Sequence, residues 1–343
     1  MKPVSKYEKI REVLSESGQP SYRYSQISEA IFKRRIGEFE QMDILPKSLR
    51  EKLIQVLGPR VCSVFPVREL TSRQVNKVLF AISGGDRIET VRLQYERGWK
   101  SYCVSTQCGC GFGCKFCATG TIGLKRNLTA DEITDQLLYF HLNGHNLDSV
   151  SFMGMGEALA NPYIYEALNL LTAPNLFGLG HRRITISTIG LLQGIERLTR
   201  DYPQINLTFS LHSPFDDQRS ELMPINNRFP IRDVLSALDR HIRRTGRKVY
   251  IAYLLLRGVN DSIEHAEAIA NLLRERGSGE HLYHVNLIPY NSTEVTPGSY
   301  RTSDSMQIES FVRILKSKGI KVTIRTQFGS DINAACGQLY GTE

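Results

Sequence analysis

From residue 100 onward the sequence alternates between β-branched apolar runs and amphipathic segments, and this alternation limits the possible folds more than any other feature. Strands are predicted near 101–105, 148–153, 183–188, 205–211, 248–255 and 282–288, separated by segments with helical apolar spacing. One helix opens with the capping box Thr129-Ala130-Asp131-Glu132, and another opens at Pro230 and runs to about Arg244. Such repeats build a parallel sheet with right-handed crossovers. Six units are too few to close an eight-stranded barrel, so the expected class is α/β, an open partial (β/α)6 barrel with a last strand near 320–326.

Six polar or glycine-rich clusters fall directly after the predicted strands: CGCGFGCKFC, GMGEALAN, STIG, SLHSP, LRGVND and NLIPYN. Loops at the C-terminal ends of parallel barrel strands form active sites, so these clusters should meet on one face of an enzyme.

Ahead of the barrel, residues 1–60 read as short amphipathic helices, and 61–98 as a β-rich linker region. The remainder, 99–343, is then the core with a C-terminal extension. Net charge is +8, and half of that surplus lies in residues 1–60, around Lys33, Arg34 and Arg35. A basic helical module of this kind suits phosphate backbones, although ordinary solvated charge gives the same count. No run approaches the roughly 20 apolar residues of a membrane span. The N-terminal stretch has no apolar export segment, so a cytoplasmic protein without a membrane partner is expected.

Seven cysteines, five of them between Cys103 and Cys117, do not form a secreted disulfide framework and point to metal or redox chemistry. Cys110, Cys114 and Cys117 follow the spacing C-x3-C-x2-C, with Gly109, Gly111 and Gly113 allowing a tight loop and Phe116 beside the last thiol. Three thiolates would leave one iron of a [4Fe-4S] cluster open to S-adenosylmethionine. The competing reading is zinc, with Cys108 as a fourth sulfur. Gly156 and Glu157 in GMGE offer close backbone approach and an acceptor for an ammonium group. Ser187, Ser210, Leu211, His212 and Asn291 end later strands and complete the expected cofactor contacts.

These motifs, together with KVYIAYLLLRGVNDS and the C-terminal DINAACGQLYG, resemble the radical S-adenosylmethionine superfamily and, within it, the Cfr-type methyltransferases of 23S ribosomal RNA. The similarity spans nearly the whole chain. It implies a [4Fe-4S] cluster and S-adenosylmethionine as cofactors, 23S ribosomal RNA as partner, an electron donor such as flavodoxin, and a monomer.

The resemblance further implies that Cys336 is first methylated and then carries a methylene radical to an electron-poor carbon of adenine. Cys103 would deprotonate the adduct and form a transient disulfide with Cys336. Glu89 matches a position assigned as proton acceptor, although a solvent-facing strand glutamate is the plainer reading. By residue type alone, Cys336, Cys103 and Cys62 read as small apolar core residues, and Cys108 has no assigned part. Two sister groups methylate C2 or C8 of the same adenosine in the peptidyl transferase centre. Ala158 after GMGE and Tyr340 after CGQL both depart from the C2 pattern and favour C8, with antibiotic resistance as the implied phenotype. A radical enzyme for a small metabolite, or a zinc protein that binds RNA, are the competing classes. The first would need no methylatable cysteine outside the cluster.

Overall fold

The computed structural model describes residues 3–293, 295, 296, 300–326 and 328–341. Helices α1 (Lys6–Glu16), α2 (Tyr22–Phe32) and α3 (Lys47–Leu57) come first. Their apolar faces meet in a small core of Ile10, Val13, Ile27, Ile31, Phe39, Leu49 and Leu53.

Strands β1 (Phe65–Ser72), β2 (Val75–Ala81) and β3 (Arg87–Gln94) form an antiparallel meander. They do not stand apart as a connection. β3 pairs antiparallel with β4 (Lys100–Cys103), so the meander extends the main sheet. Next come a hairpin of β5 (Gln107–Cys110) and β6 (Gly123–Asn127) around the short α4 (Ala118–Thr121), which periodicity did not anticipate.

The alternating part follows: α5 (Ala130–Leu142), β7 (Ser149–Phe152), α6 (Ile164–Thr172), β8 (Ile184–Thr188), α7 (Leu192–Asp201) and β9 (Asn206–Ser210). It continues through α8 (Asp216–Leu222), α9 (Ile231–Thr245), β10 (Val249–Leu255), α10 (Ile263–Arg274), β11 (Tyr283–Pro289), α11 (Ser305–Ser317) and β12 (Lys321–Ile324). Strands β4 and β7 to β12 are parallel, and the ten-stranded sheet runs from β1 to β12 without closing.

The predicted punctuation is present. Thr129 and Glu132 cap each other at the start of α5, and Pro230 caps α9, which stops at Gly246 in the left-handed region. Along β8, Ile184 and Ile186 pack under the helices while Thr185 and Ser187 face the opposite way, into a cavity. Asn206, Thr208 and Ser210 do the same on β9. The concave face is therefore polar and open to a ligand rather than filled by a core.

The helical module is fixed to the barrel through α5. Lys6 forms a buried ion pair with Asp135, whose other oxygen accepts from Ser63 N at 2.6 Å and Ser63 Oγ at 2.7 Å. Both charges are thereby satisfied in an apolar setting. Among the described residues, no helix is long and apolar enough to cross a membrane.

Candidate active site

The clusters that end the strands do converge. A cavity of about 530 Å³ opens on the concave face and is lined by Phe116, Gly156, Glu157, Ser187, Ser210, His212 and Cys336, among others. A second cavity of about 240 Å³ lies against it and is lined by Cys103, Asn291 and Cys336. Cys117, Met153, Arg325 and Cys336 belong to both walls.

The hairpin orients the cysteines. Gly109 has φ +74°, and a Cβ there would meet Gly123 O at 1.9 Å, so only glycine passes. The register slips between Cys108 and Gly109, which separates the two neighbouring thiols. Cys108 turns into the core and donates to Arg87 O at 3.5 Å. Cys110 instead joins Cys114 and Cys117.

All three of these thiols are held above their usual range, first by burial. The charge of Cys117 adds to this for both Cys110 and Cys114. Bound iron would supply the positive charge that keeps such thiols ionised. With Cys108 directed elsewhere, the four-sulfur zinc set is not assembled. Among the described residues no three metal-ligating side chains crowd together as a mononuclear site requires.

Glu157 is 5% exposed and lines the main cavity. Its Oε2 accepts from Ile189 N at 3.0 Å and its Oε1 from Leu159 N at 3.4 Å. Burial pushes its carboxyl up to about 7. A carboxylate so placed is improved by an incoming ammonium group, which is what the amino group of S-adenosylmethionine offers.

At pH well below 4.5, the Glu157 carboxyl's ordinary value, it is protonated in folded and unfolded chains alike; above about 7 both carry the charge, and only the fold bears its desolvation. Relative to the native protein, Glu157→Gln is therefore expected to be more stable at pH 8 than at pH 4 by about 3 kcal/mol, while S-adenosylmethionine binding weakens. Urea unfolding at the two pH values checks this, and equal gains at both would contradict it.

Ser187 and Ser210 place their hydroxyls 3.4 Å apart on the cavity wall. His212 sits at φ +56°, a costly conformation for a non-glycine residue. Asn260 secures it by donating to His212 O and Leu254 O, both at 2.7 Å. His212 Nδ1 accepts from Leu254 N at 2.9 Å, so the ring proton is on Nε2. Burial lowers its pKa to about 3 and keeps the ring neutral, edge-on to Phe116.

Two expected contacts are placed differently. Leu211 packs in the core, and its backbone is already bonded to Ala252 O and to Arg219 Nε, because its side chain points to the helix side of the strand end. Asn291 lines the second cavity and donates to Cys336 O at 3.3 Å.

Cys103 and Cys336 share the second cavity. Burial, and then the neighbouring Cys336, push the Cys103 thiol up to about 12. Glu89 is not on a solvent face: it is 3% exposed and paired with Lys77 at 2.8 Å. Cys62 is a packing residue whose thiol meets Asp135 O at 3.5 Å. On the helical module Lys33, Arg34 and Arg35 are exposed, Lys33 pairing with Glu29 and Arg35 donating to Asn146.

Two arginines went unread in the sequence. Arg219 is fully buried and donates to the carbonyls of Ile189, Ser210 and Leu211, tying together the ends of β8 and β9. Arg325 directs both Nη atoms to Met153 Sδ at 3.5 Å and faces Cys336 and Cys103, whose charges raise its pKa. No motif marks either; a strand-end position for Arg325 was the available signal.

The chain is similar to proteins of known family. Residues 104–273 match the radical SAM superfamily, and residues 5–57 match the ribosomal RNA large subunit methyltransferase N-terminal domain. Proteins named ribosomal RNA large subunit methyltransferase Cfr are similar over nearly full length. That of Shouchella clausii is 60% identical over 98% of this chain and 96% of its own. That of Staphylococcus aureus is 58% identical over 98% and 97%. A crystal structure of a radical SAM methyltransferase from Sphaerobacter thermophilus superposes with a TM-score of 0.91 at 39% identity, covering 99% of this chain and 98% of that one. The chain belongs to the radical SAM superfamily and, within it, to the Cfr family of ribosomal RNA large subunit methyltransferases.

Proposed function

We propose that the chain methylates C8 of an adenosine in the peptidyl transferase centre of 23S ribosomal RNA, with Cys336 as the carrier of the methyl carbon. The observation that carries this reading is the position of Cys336 in the wall common to two cavities, with Cys103 in the smaller one. An enzyme acting on a small metabolite has no use for such a residue.

The [4Fe-4S] cluster and S-adenosylmethionine, when bound, supply the methyl group and the one-electron chemistry that the adenine carbon requires. Cys110, Cys114 and Cys117 hold the cluster. Glu157 takes the amino group of S-adenosylmethionine, and the Gly156 backbone allows close approach, since a Cβ there would meet Gln107 at 2.5 Å. Ser187, Ser210 and His212 contact the same cofactor, and Phe116 walls it in. Cys336 Sγ accepts a methyl group and presents it towards the second cavity. After the adduct has given up its unpaired electron, which a bound cluster would take, Cys103 removes the proton left on the adduct carbon. Its thiolate then attacks the Cys336 sulfur, the sulfur–methylene bond breaks, and the carbon leaves with a proton as the product's methyl group, the disulfide being reduced by an external thiol before the next turnover. Burial holds the Cys103 thiol protonated at rest, so it must first lose that proton, giving a thiolate that Arg325 faces, before it can act as the base. Arg325 faces both sulfurs and favours whichever is ionised.

The residues 1–60 module serves RNA docking, 61–98 extends the sheet, and 99–343 carries the chemistry. An electron donor such as flavodoxin, a monomeric state and a cytoplasmic location complete the reading. C8 rather than C2 is supported by Ala158, by Tyr340 and by the shared Cfr name of the relatives. A methyl at C8 lies where ribosome-directed drugs bind, so resistance is the expected phenotype. Mass spectrometry of the modified adenosine against C2 and C8 standards tests the assignment. Co-elution with 8-methyladenosine is expected, and 2-methyladenosine would overturn it.

A further inference from the structure

The segment that presents Cys336 is mostly irregular: among the described residues between β12 and Gly341 there is one short 3-10 turn, Ser330–Ile332. Its position therefore depends on contacts from elsewhere. Thr119 Oγ1 donates to Leu339 O at 2.6 Å, and Ala118 N donates to Gly337 O at 2.9 Å.

Asn291 donates to Cys336 O at 3.3 Å and Gln338 Nε2 to Ser292 O at 3.0 Å, and a further grip comes from a buried ion pair. Glu89, on β3, turns one oxygen to Lys77 Nζ at 2.8 Å. Its other oxygen accepts from Tyr340 N at 2.7 Å and Gly341 N at 3.2 Å. Lys77, on β2, also donates to Asn333 O at 3.0 Å. The pair thus holds the segment on both sides of Cys336. Both residues line a third cavity, of about 470 Å³, and neither lines the two cavities that meet at Cys336. The carboxylate already accepts three donors and faces away from the compartment where a proton would have to be collected.

We propose that Glu89, with Lys77, is a positioning residue that latches the Cys336 segment, and not the group that takes a proton from the substrate. The consequence for methyl transfer rests on Cys336 being the carrier, but the latch itself is measured without it.

The test uses the cluster-loaded full chain and follows hydrogen exchange over residues 329–341, the fraction of Cys336 methylated, and methyl transfer to RNA. Glu89→Ala should speed exchange across the whole segment by at least about tenfold, because a charge-assisted buried contact is lost. Cys336 methylation should fall with it. Glu89→Gln keeps an oxygen for the two backbone N–H groups, so it should restore slow exchange and a substantial share of both methylation readouts. Loss of RNA methylation in the alanine and glutamine variants alike, with exchange and Cys336 methylation unaltered, would make Glu89 the proton acceptor and overturn the latch. Should Glu89→Ala not fold, Lys77→Met frees Asn333 O while leaving Glu89 in place. It should speed exchange too, and unchanged exchange there also overturns the proposal.

Discussion

The Cys336→Ala protein is expected to assemble its cluster and bind S-adenosylmethionine, yet to lose RNA methylation by a factor on the order of 1,000 or more, as when a covalent nucleophile is removed. The substitution deletes one sulfur and little else. The loop around it is held by backbone contacts, through Asn291 to the carbonyl of residue 336 and through Ala118 N to Gly337 O, and these survive in alanine. The brown colour and visible absorption of the cluster should persist, because none of Cys110, Cys114 and Cys117 is touched. Retained turnover would remove the carrier from the mechanism.

The opposite defect is expected of Cys103→Ala. Chemistry should proceed to the point where adenine is joined to Cys336 and then stop, because nothing in the second cavity takes the last proton or attacks the sulfur. A denaturing gel should show RNA bound to protein in near-stoichiometric yield, where the native protein shows almost none. Active consumption of S-adenosylmethionine with no such band would exclude Cys103 as the resolving thiol. Cys103 is half-buried beside Ser151 on a cavity wall, so alanine costs about 1 kcal/mol at most, too little to unfold a chain of this size.

Much of this arrangement was readable in one dimension. Strand–helix alternation sets the parallel sheet, and the clusters after each strand must share a face, so Glu157, Ser187, Ser210 and His212 could be brought together from their positions alone. What escaped depends on contacts between distant segments. The β1–β3 meander shows ordinary alternation, and nothing local says that β3 will pair with β4. Cys108 and Cys110 share a face in an ideal strand, and the bulge that parts them is visible only once Gly109 meets Gly123. Arg219 satisfies carbonyls from two strand ends, and Glu89 satisfies amides more than 250 positions away in the chain. Leu211 lies between Ser210 and His212, and strand alternation turns its side chain into the core while its neighbours line the cavity.

On the proposed reading, two compartments that share one wall, with Cys336 in it, have a kinetic meaning. The first substrate can be consumed and its product can leave before the second arrives, which is a double-displacement scheme with the enzyme itself as the stored intermediate. The charged form of the protein, loaded at Cys336, is then a discrete species that waits for RNA. On that reading the small-molecule and nucleic-acid substrates use different cavities, so an inhibitor of either half-reaction needs to fill only one of the two rooms.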